Sequence, residues 1–214
     1  MTQKAQGGIM ISASHNDAKW NALKFFNSSG EFISKVFGEE ILELYNKEFK
    51  LKSGDGRYLK QDFIKDHISL IKKLEFIDVN KIKSKNFKIV VDGINSTGGV
   101  AVPMLLKELG VNTILKLNCN PDGNFKHNPE PLAENLKNLM DHVLLNNADL
   151  GIAVDPDVDR LAIVSEDGSF FGEEFTLVSC ADYILSKKTG NTVSNLSSSL
   201  ALSKITQKYS GKYF

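Results

Sequence analysis

Phe87-Lys88-Ile89-Val90-Val91-Asp92, followed by Gly93-Ile94-Asn95-Ser96-Thr97-Gly98-Gly99, is the stretch on which the fold turns. A short apolar run that ends in Asp and small residues reads as a strand feeding a loop. Residues 100–109 then carry helical periodicity, and Gly110 stands where a left-handed helix cap is usual. Residues 111–117 read as a second strand and 118–131 as a Pro/Asn/Gly loop. Residues 132–145 read as a second helix, with Pro131 suited to its first turn. Residues 149–154 read as a third strand. Strand–helix–strand–helix–strand implies parallel pairing through right-handed crossovers.

Working outward, residues 161–165 predict a strand that turns at Asp167-Gly168, residues 173–188 a helix, 191–196 a strand and 200–209 a last helix. Upstream, Gly8-Ile9-Met10-Ile11 reads as a buried strand ending in the polar stretch Ser12-Ala13-Ser14-His15-Asn16. Helical spacing recurs over 36–49 and 63–74, separated by a Gly-containing polar linker at 51–60. A parallel βα layer should not open on one strand or close after one strand–helix pair, so the chain is expected to be incomplete at both ends.

The chain has 214 residues, with 26 Lys plus Arg against 26 Asp plus Glu. Zero formal charge supplies no field for a nucleic acid or an anionic membrane, so any anion site must be built locally. Cys119 and Cys180 fit neither a zinc pattern nor a disulfide framework, which predicts a reducing compartment. With no apolar run near bilayer length and no signal-peptide core at the start, the expectation is a cytoplasmic protein with neither nucleic acid nor membrane as partner.

Two clusters carry chemistry. In Asp155-Pro156-Asp157-Val158-Asp159-Arg160, carboxylates at alternate positions would share one side of an extended segment. They repel one another unless a cation or protons intervene, and hard oxygen ligands select magnesium, calcium or manganese. The cluster follows a strand, where open α/β sheets place their sites. A solvated acidic turn is the plain alternative. An EF-hand calcium loop would use Asp155, Asp157, Asp159 and Glu166, but Arg160 stands where that loop needs Gly, and strands rather than helices flank it. An aspartyl phosphatase would use Asp155 as nucleophile, which leaves the serine loop without a task.

The second cluster is Ser12-Ala13-Ser14-His15-Asn16, with Lys24 downstream. A Ser-His hydrolase is disfavoured. Sequence neighbours point apart in extended chain, and no Gly-x-Ser-x-Gly elbow is present. A phosphorylated serine is the better use, since its negative charge needs the cation that the three aspartates can hold.

The two clusters together carry a family resemblance. Ser12-Ala13-Ser14-His15-Asn16 resembles the Thr-Ala-Ser-His-Asn-Pro loop of the α-D-phosphohexomutases, and residues 155–160 resemble that family's Asp-Gly-Asp-Gly-Asp-Arg metal loop. Residues 20–24, 92–99 and 127–131 resemble its bacterial phosphoglucosamine mutase and phosphomannomutase branch. The resemblance implies mixed-sheet βα domains of the phosphohexomutase type: the end of domain I at 1–60, domain II at 61–167 and the start of domain III at 168–214. It implies phosphoserine at Ser14, and magnesium held by Asp155, Asp157, Asp159 and the Ser14 phosphate. Lys24 would transfer a proton or stabilise charge, and His15 and Arg160 would line the transfer site. His127 reads as a loop histidine that holds local turns.

The function so implied is an intramolecular phosphotransfer between C1 and C6 of a hexose phosphate, with glucosamine first among the sugars, through a hexose 1,6-bisphosphate. There are departures. Asp17 replaces the family's Pro, Ser12 its Thr, and Pro156 and Val158 its two metal-loop glycines. The Gly-Glu-x-Ser-Gly-His sugar loop and the Arg-x-Ser-Gly-Thr phosphate clamp find no match in the chain. The expectation is therefore an inactive fragment, with an aspartyl phosphatase or a non-catalytic metal-binding remnant as the other open classes.

Overall fold

The computed structural model describes residues 4–47, 54 and 56–214. They form two compact units, Met1–Ala13 with Lys19–Phe63, and Ser14–Ala18 with Ile64–Phe214.

In the smaller unit, β1 (Gly8–Ile11) pairs antiparallel with β2 (Leu23–Phe26), Gly8 opposite Phe26 and Ile11 opposite Leu23. The Ser12 N–H extends the hairpin by donating to the Ala22 carbonyl at 3.1 Å. Phe26 stacks on Phe32 with ring centroids 4.8 Å apart. Helix α1 (Lys35–Tyr45) starts where the Ser34 side chain accepts the Phe37 N–H, a standard N-cap. Two expectations change here. β1 is not a buried strand, since Ile9 and Ile11 are 62% and 71% exposed. Among the described residues no second layer covers the faces of this two-stranded ribbon. β2 was not expected; its four residues are too few to show a period. Of the predicted helix at 36–49, the part beyond Tyr45 is not helical as far as Lys47, and Phe49 lies outside the described residues, as does much of the 51–60 linker.

The larger unit is a three-layer α/β/α body. Its sheet has the order β4-β3-β5-β6, from β3 (Lys88–Asp92), β4 (Thr113–Leu117), β5 (Leu150–Val154) and β6 (Leu161–Ser165). β3 runs parallel to β4 and β5, and β6 returns antiparallel to β5. β3 is central and its side chains split by parity. Val90 joins Leu136, Leu139, Val143, Ala153 and Val164 on the face covered by α5 (Lys137–Leu145). Ile89 and Val91 join Val102, Leu106 and Val154 on the face covered by α4 (Gly98–Glu108). Burial on both faces is what a strand with so continuous an apolar run requires. Gly110, with φ +89°, turns the chain out of α4, as the cap position predicted.

Around this layer lie α2 (Ile64–Ile71), the short and unexpected α3 (Val79–Ser84), α6 (Glu173–Lys187) and α7 (Leu200–Lys208). The predicted 132–145 helix is split into a 3-10 turn at Ala133–Asn135 and α5. The predicted strand at 191–196 does not form. Thr192 instead makes an isolated parallel bridge with Tyr213, its N–H donating to the Lys212 carbonyl and its carbonyl accepting the Phe214 N–H. No described helix is long and apolar enough to cross a membrane.

Candidate functional site

The carboxyl ends of β3, β4 and β5 lie side by side, so the loops that follow them share one edge of the sheet. Asp155 follows β5 directly and is fully buried. The chain then turns rather than running extended. The Val158 N–H donates to the Asp155 carbonyl at 3.1 Å, and Val158 takes φ +65°. The turn, not strand alternation, gathers the aspartates. One carboxylate oxygen from each of Asp155, Asp157 and Asp159 lies within 4.8 Å of the others.

Asp155 Oδ1 accepts the backbone N–H groups of Asp159 and Arg160, both at 3.0 Å. Its Oδ2 is buried and receives no hydrogen bond. A buried carboxylate oxygen without a donor is costly, and more so beside like charge. Burial above all, then the neighbouring Asp157 and Asp159, raises the Asp155 carboxyl to about 6 against the lowering effect of the Arg160 N–H. A hard divalent cation would satisfy that oxygen and offset the repulsion. The all-oxygen donor set fits magnesium.

The neighbouring loops brace this turn. Ser96 Oγ donates to the Pro156 carbonyl at 2.9 Å. A Cβ on Gly98 would come within 2.2 Å of Val154 Cγ2, so β5 and the start of α4 approach closely only because Gly is there. Arg160 Nη1 donates to Glu130 Oε1 at 3.0 Å. His127 Nε2 lies 3.1 Å from Asp92 Oδ2, and its Nδ1 lies 2.8 Å from the Asn128 carbonyl. Asp92 is 1% exposed and also accepts the Ile94 N–H and the Asn118 amide. Glu130, Ser96 and Asp92 carried no predicted role. The residues were in view, but what they brace is set by tertiary contacts across loops.

Ser14 sits at φ +53°, and this left-handed backbone brings its Oγ within 3.2 Å of His15 Nδ1. That corrects the expectation that the two side chains point apart, which holds only for extended chain. The segment Ser14–Ala18 belongs to the compact unit that carries the aspartate turn. Lys24 lies on β2 opposite Met10, in the other unit.

Comparison with known proteins yields consistent matches. Residues 65–168 match the family described as phosphoglucomutase/phosphomannomutase, alpha/beta/alpha domain II, and residues 1–52 match its domain I. A Thermococcus kodakarensis protein named phosphoglucomutase/phosphomannomutase is 35% identical over 213 residues, covering 97% of this chain and 46% of its own length. A Methanopyrus kandleri protein, named a probable phosphoglucosamine mutase, is 32% identical, covering 99% of this chain and 46% of its own. A crystal structure of a candidate phosphomannomutase from Thermus thermophilus superposes with a TM-score of 0.86 at 23% identity, covering 99% of this chain and 48% of that one. The chain thus spans about half the length of the relatives it matches. It belongs to the phosphoglucomutase/phosphomannomutase family.

Proposed function

We propose that this family member is an intramolecular phosphotransferase that moves a phosphoryl group between C1 and C6 of a hexose phosphate, with glucosamine phosphate the first choice of substrate. The observation that carries this reading is the aspartate turn. Three carboxylates converge within 4.8 Å around a buried oxygen that lacks a donor, in the same compact unit as Ser14. Asp155, Asp157 and Asp159 would hold magnesium together with a phosphate on Ser14. When bound, magnesium would offset charge on the phosphoryl oxygens.

In the first half-reaction, the bond between phosphorus and Ser14 Oγ breaks as a sugar hydroxyl oxygen bonds to phosphorus. The hydroxyl proton passes to a base, and a hexose 1,6-bisphosphate results. In the second half-reaction, the other phosphate returns to Ser14. Lys24 is proposed for proton transfer or charge stabilisation, and His15 and Arg160 for lining the transfer site. Residues 1–60, 61–167 and 168–214 are read as parts of three successive domains, in a cytoplasmic enzyme. The 214 residues alone should turn over slowly, because positioning accounts for much of the rate and no sugar loop or phosphate clamp is matched here.

An aspartyl phosphatase with Asp155 as nucleophile is disfavoured, since it leaves the serine loop without a task. Ser14→Ala decides between the two. Any turnover of hexose phosphate should vanish with the hydroxyl, whereas phosphate release unaffected by Ser14→Ala would overturn the mutase reading.

A further inference from the structure

His127 occupies a position that neither the metal turn nor the serine loop accounts for. Its two ring nitrogens both meet acceptors. The Asn128 carbonyl can only accept a hydrogen bond, so Nδ1 must carry a proton. Asp92 Oδ2 faces Nε2, and every other partner of the Asp92 carboxylate, the Ile94 N–H and the Asn118 amide, is a donor. Facing an ionised carboxylate, Nε2 donates and so carries a proton as well. Both nitrogens donate only in the imidazolium form. The hydrogen bond to Asp92 favours that form, against partial burial of the ring.

From this ring a continuous path leads to the metal turn. His127 bonds the Asn128 carbonyl, and Asn128 Oδ1 accepts the Glu130 N–H at 3.0 Å. Glu130 Oε1 accepts from Arg160 at 3.0 Å, and the Arg160 N–H donates to Asp155 Oδ1 at 3.0 Å. The last part of the loop between β4 and α5 is thereby pinned at His127 to β3, through Asp92, and at Glu130 to the metal turn, through Arg160. Asp92 is the carboxylate on the ring; Lys126 and Glu130 are its charged neighbours in sequence, and Arg160 is the charge that Glu130 meets.

We propose that His127, as an imidazolium, is a positioning residue that clamps the 118–131 loop to Asp92 and, through Glu130, fixes the guanidinium of Arg160 beside the aspartate turn. Its consequence for catalysis rests on the phosphotransferase reading; the clamp itself does not. Among the described residues neither His15 nor His142 has such a pairing, and His67 has no hydrogen bond to a carboxylate. His142 Nδ1 meets only its own helix at the Asn138 carbonyl, and His15 Nδ1 meets a hydroxyl that can donate or accept.

The test is 15N NMR of the histidine-labelled chain beside hydrogen exchange of the Arg160 amide. The His127 ring should lose its proton above the ordinary histidine value of 6.5, with both nitrogens protonated below that point, and His127→Gln should speed Arg160 amide exchange about fivefold, the effect of losing a hydrogen bond that contributes about 1 kcal/mol to local stability. A His127 ring that titrates at or below 6.5 overturns the clamp, and so does unchanged Arg160 exchange in a folded His127→Gln variant. If that variant does not fold, the wild-type ring titration still decides. Phosphoryl uptake at Ser14 from a hexose 1,6-bisphosphate should slow in His127→Gln and in Glu130→Gln, with no further loss in the double variant. Additive losses would sink the route through Glu130. Failure to take up phosphate even in a chain extended to the length of its relatives would remove the phosphotransferase reading and leave the ring measurement standing.

Discussion

At Asp155 two demands collide: the fold buries the side chain, and the neighbouring aspartates repel its charge. The carboxyl is raised to about 6 from an ordinary 3.8, mainly by burial. The folded chain therefore binds the proton more tightly than the unfolded chain. Without metal, this group's contribution is fullest below the unfolded value and is lost as pH rises towards 6. A cation replaces the proton at higher pH. The gain in melting temperature from magnesium, measured by calorimetry, should thus be large at pH 7.5 and shrink below pH 6. Asp155→Asn keeps an oxygen for the two N–H donors and removes the charge. With a chelator at pH 8 it should melt at or above the wild type, yet gain nothing from magnesium. An equal magnesium gain in the variant would move the metal elsewhere. The three aspartates were legible because carboxylates so close in sequence must meet. The turn that gathers them was not, and neither was its cost. Val158 holds φ +65°, where a β-branched residue costs about 1–2 kcal/mol relative to glycine. The resemblance marked Val158 as a departure from glycine without showing that the position demands a left-handed backbone.

At the scale of elements, the sheet and its crossovers followed from changes of period and from Gly and Pro punctuation. The β3, α4, β4, α5, β5, β6 succession matches the reading to within a few residues, except that the α5 helix starts later. Errors fall where tertiary context decides. Residues 191–196 have strand chemistry but form only an isolated bridge at Thr192, and β1 has apolar residues that no layer covers among the described residues. The loop from Gly93 to Gly99 was read as small without the reason, which is crowding. A Cβ on Gly99 would meet the Cys119 backbone at 2.6 Å, and one on Gly93 would meet Gly99 at 2.3 Å. Backbone cannot rotate away as a side chain can. Gly99→Ala should therefore destabilise the chain by about 1–3 kcal/mol, as overpacking generally does, read by urea denaturation. A Gly99→Ala chain as stable as the wild type would show that the loop relaxes freely. The same substitution at Gly123, where nothing lies within 4 Å, meets no such crowding, and only its φ of +75° opposes it.

For the whole molecule, the family was legible from two short loops in combination, since each supplies charge that the other needs. The sugar was not, because neither loop reads sugar hydroxyls. The chain spans about half the length of its relatives, and among the described residues several large apolar side chains stand exposed, including Ile9, Ile11, Val36, Phe37 and Leu42. Helix α1 buries none of its residues. Surfaces of that kind associate. Sedimentation velocity at micromolar concentration should show self-association that Phe37→Ser with Leu42→Ser reduces; a strictly monomeric wild type would contradict this. Ser14 is proposed to carry a phosphoryl group that shares a magnesium ion with the aspartate turn of the same compact unit. The most direct test of that proposal is the intact mass of the chain after incubation with a hexose 1,6-bisphosphate and magnesium, beside Ser14→Ala and Asp155→Asn. One added phosphoryl group is expected in the wild type and none in either variant. An added group that survives Ser14→Ala, or no added group even in a chain extended to the length of its relatives, would contradict it.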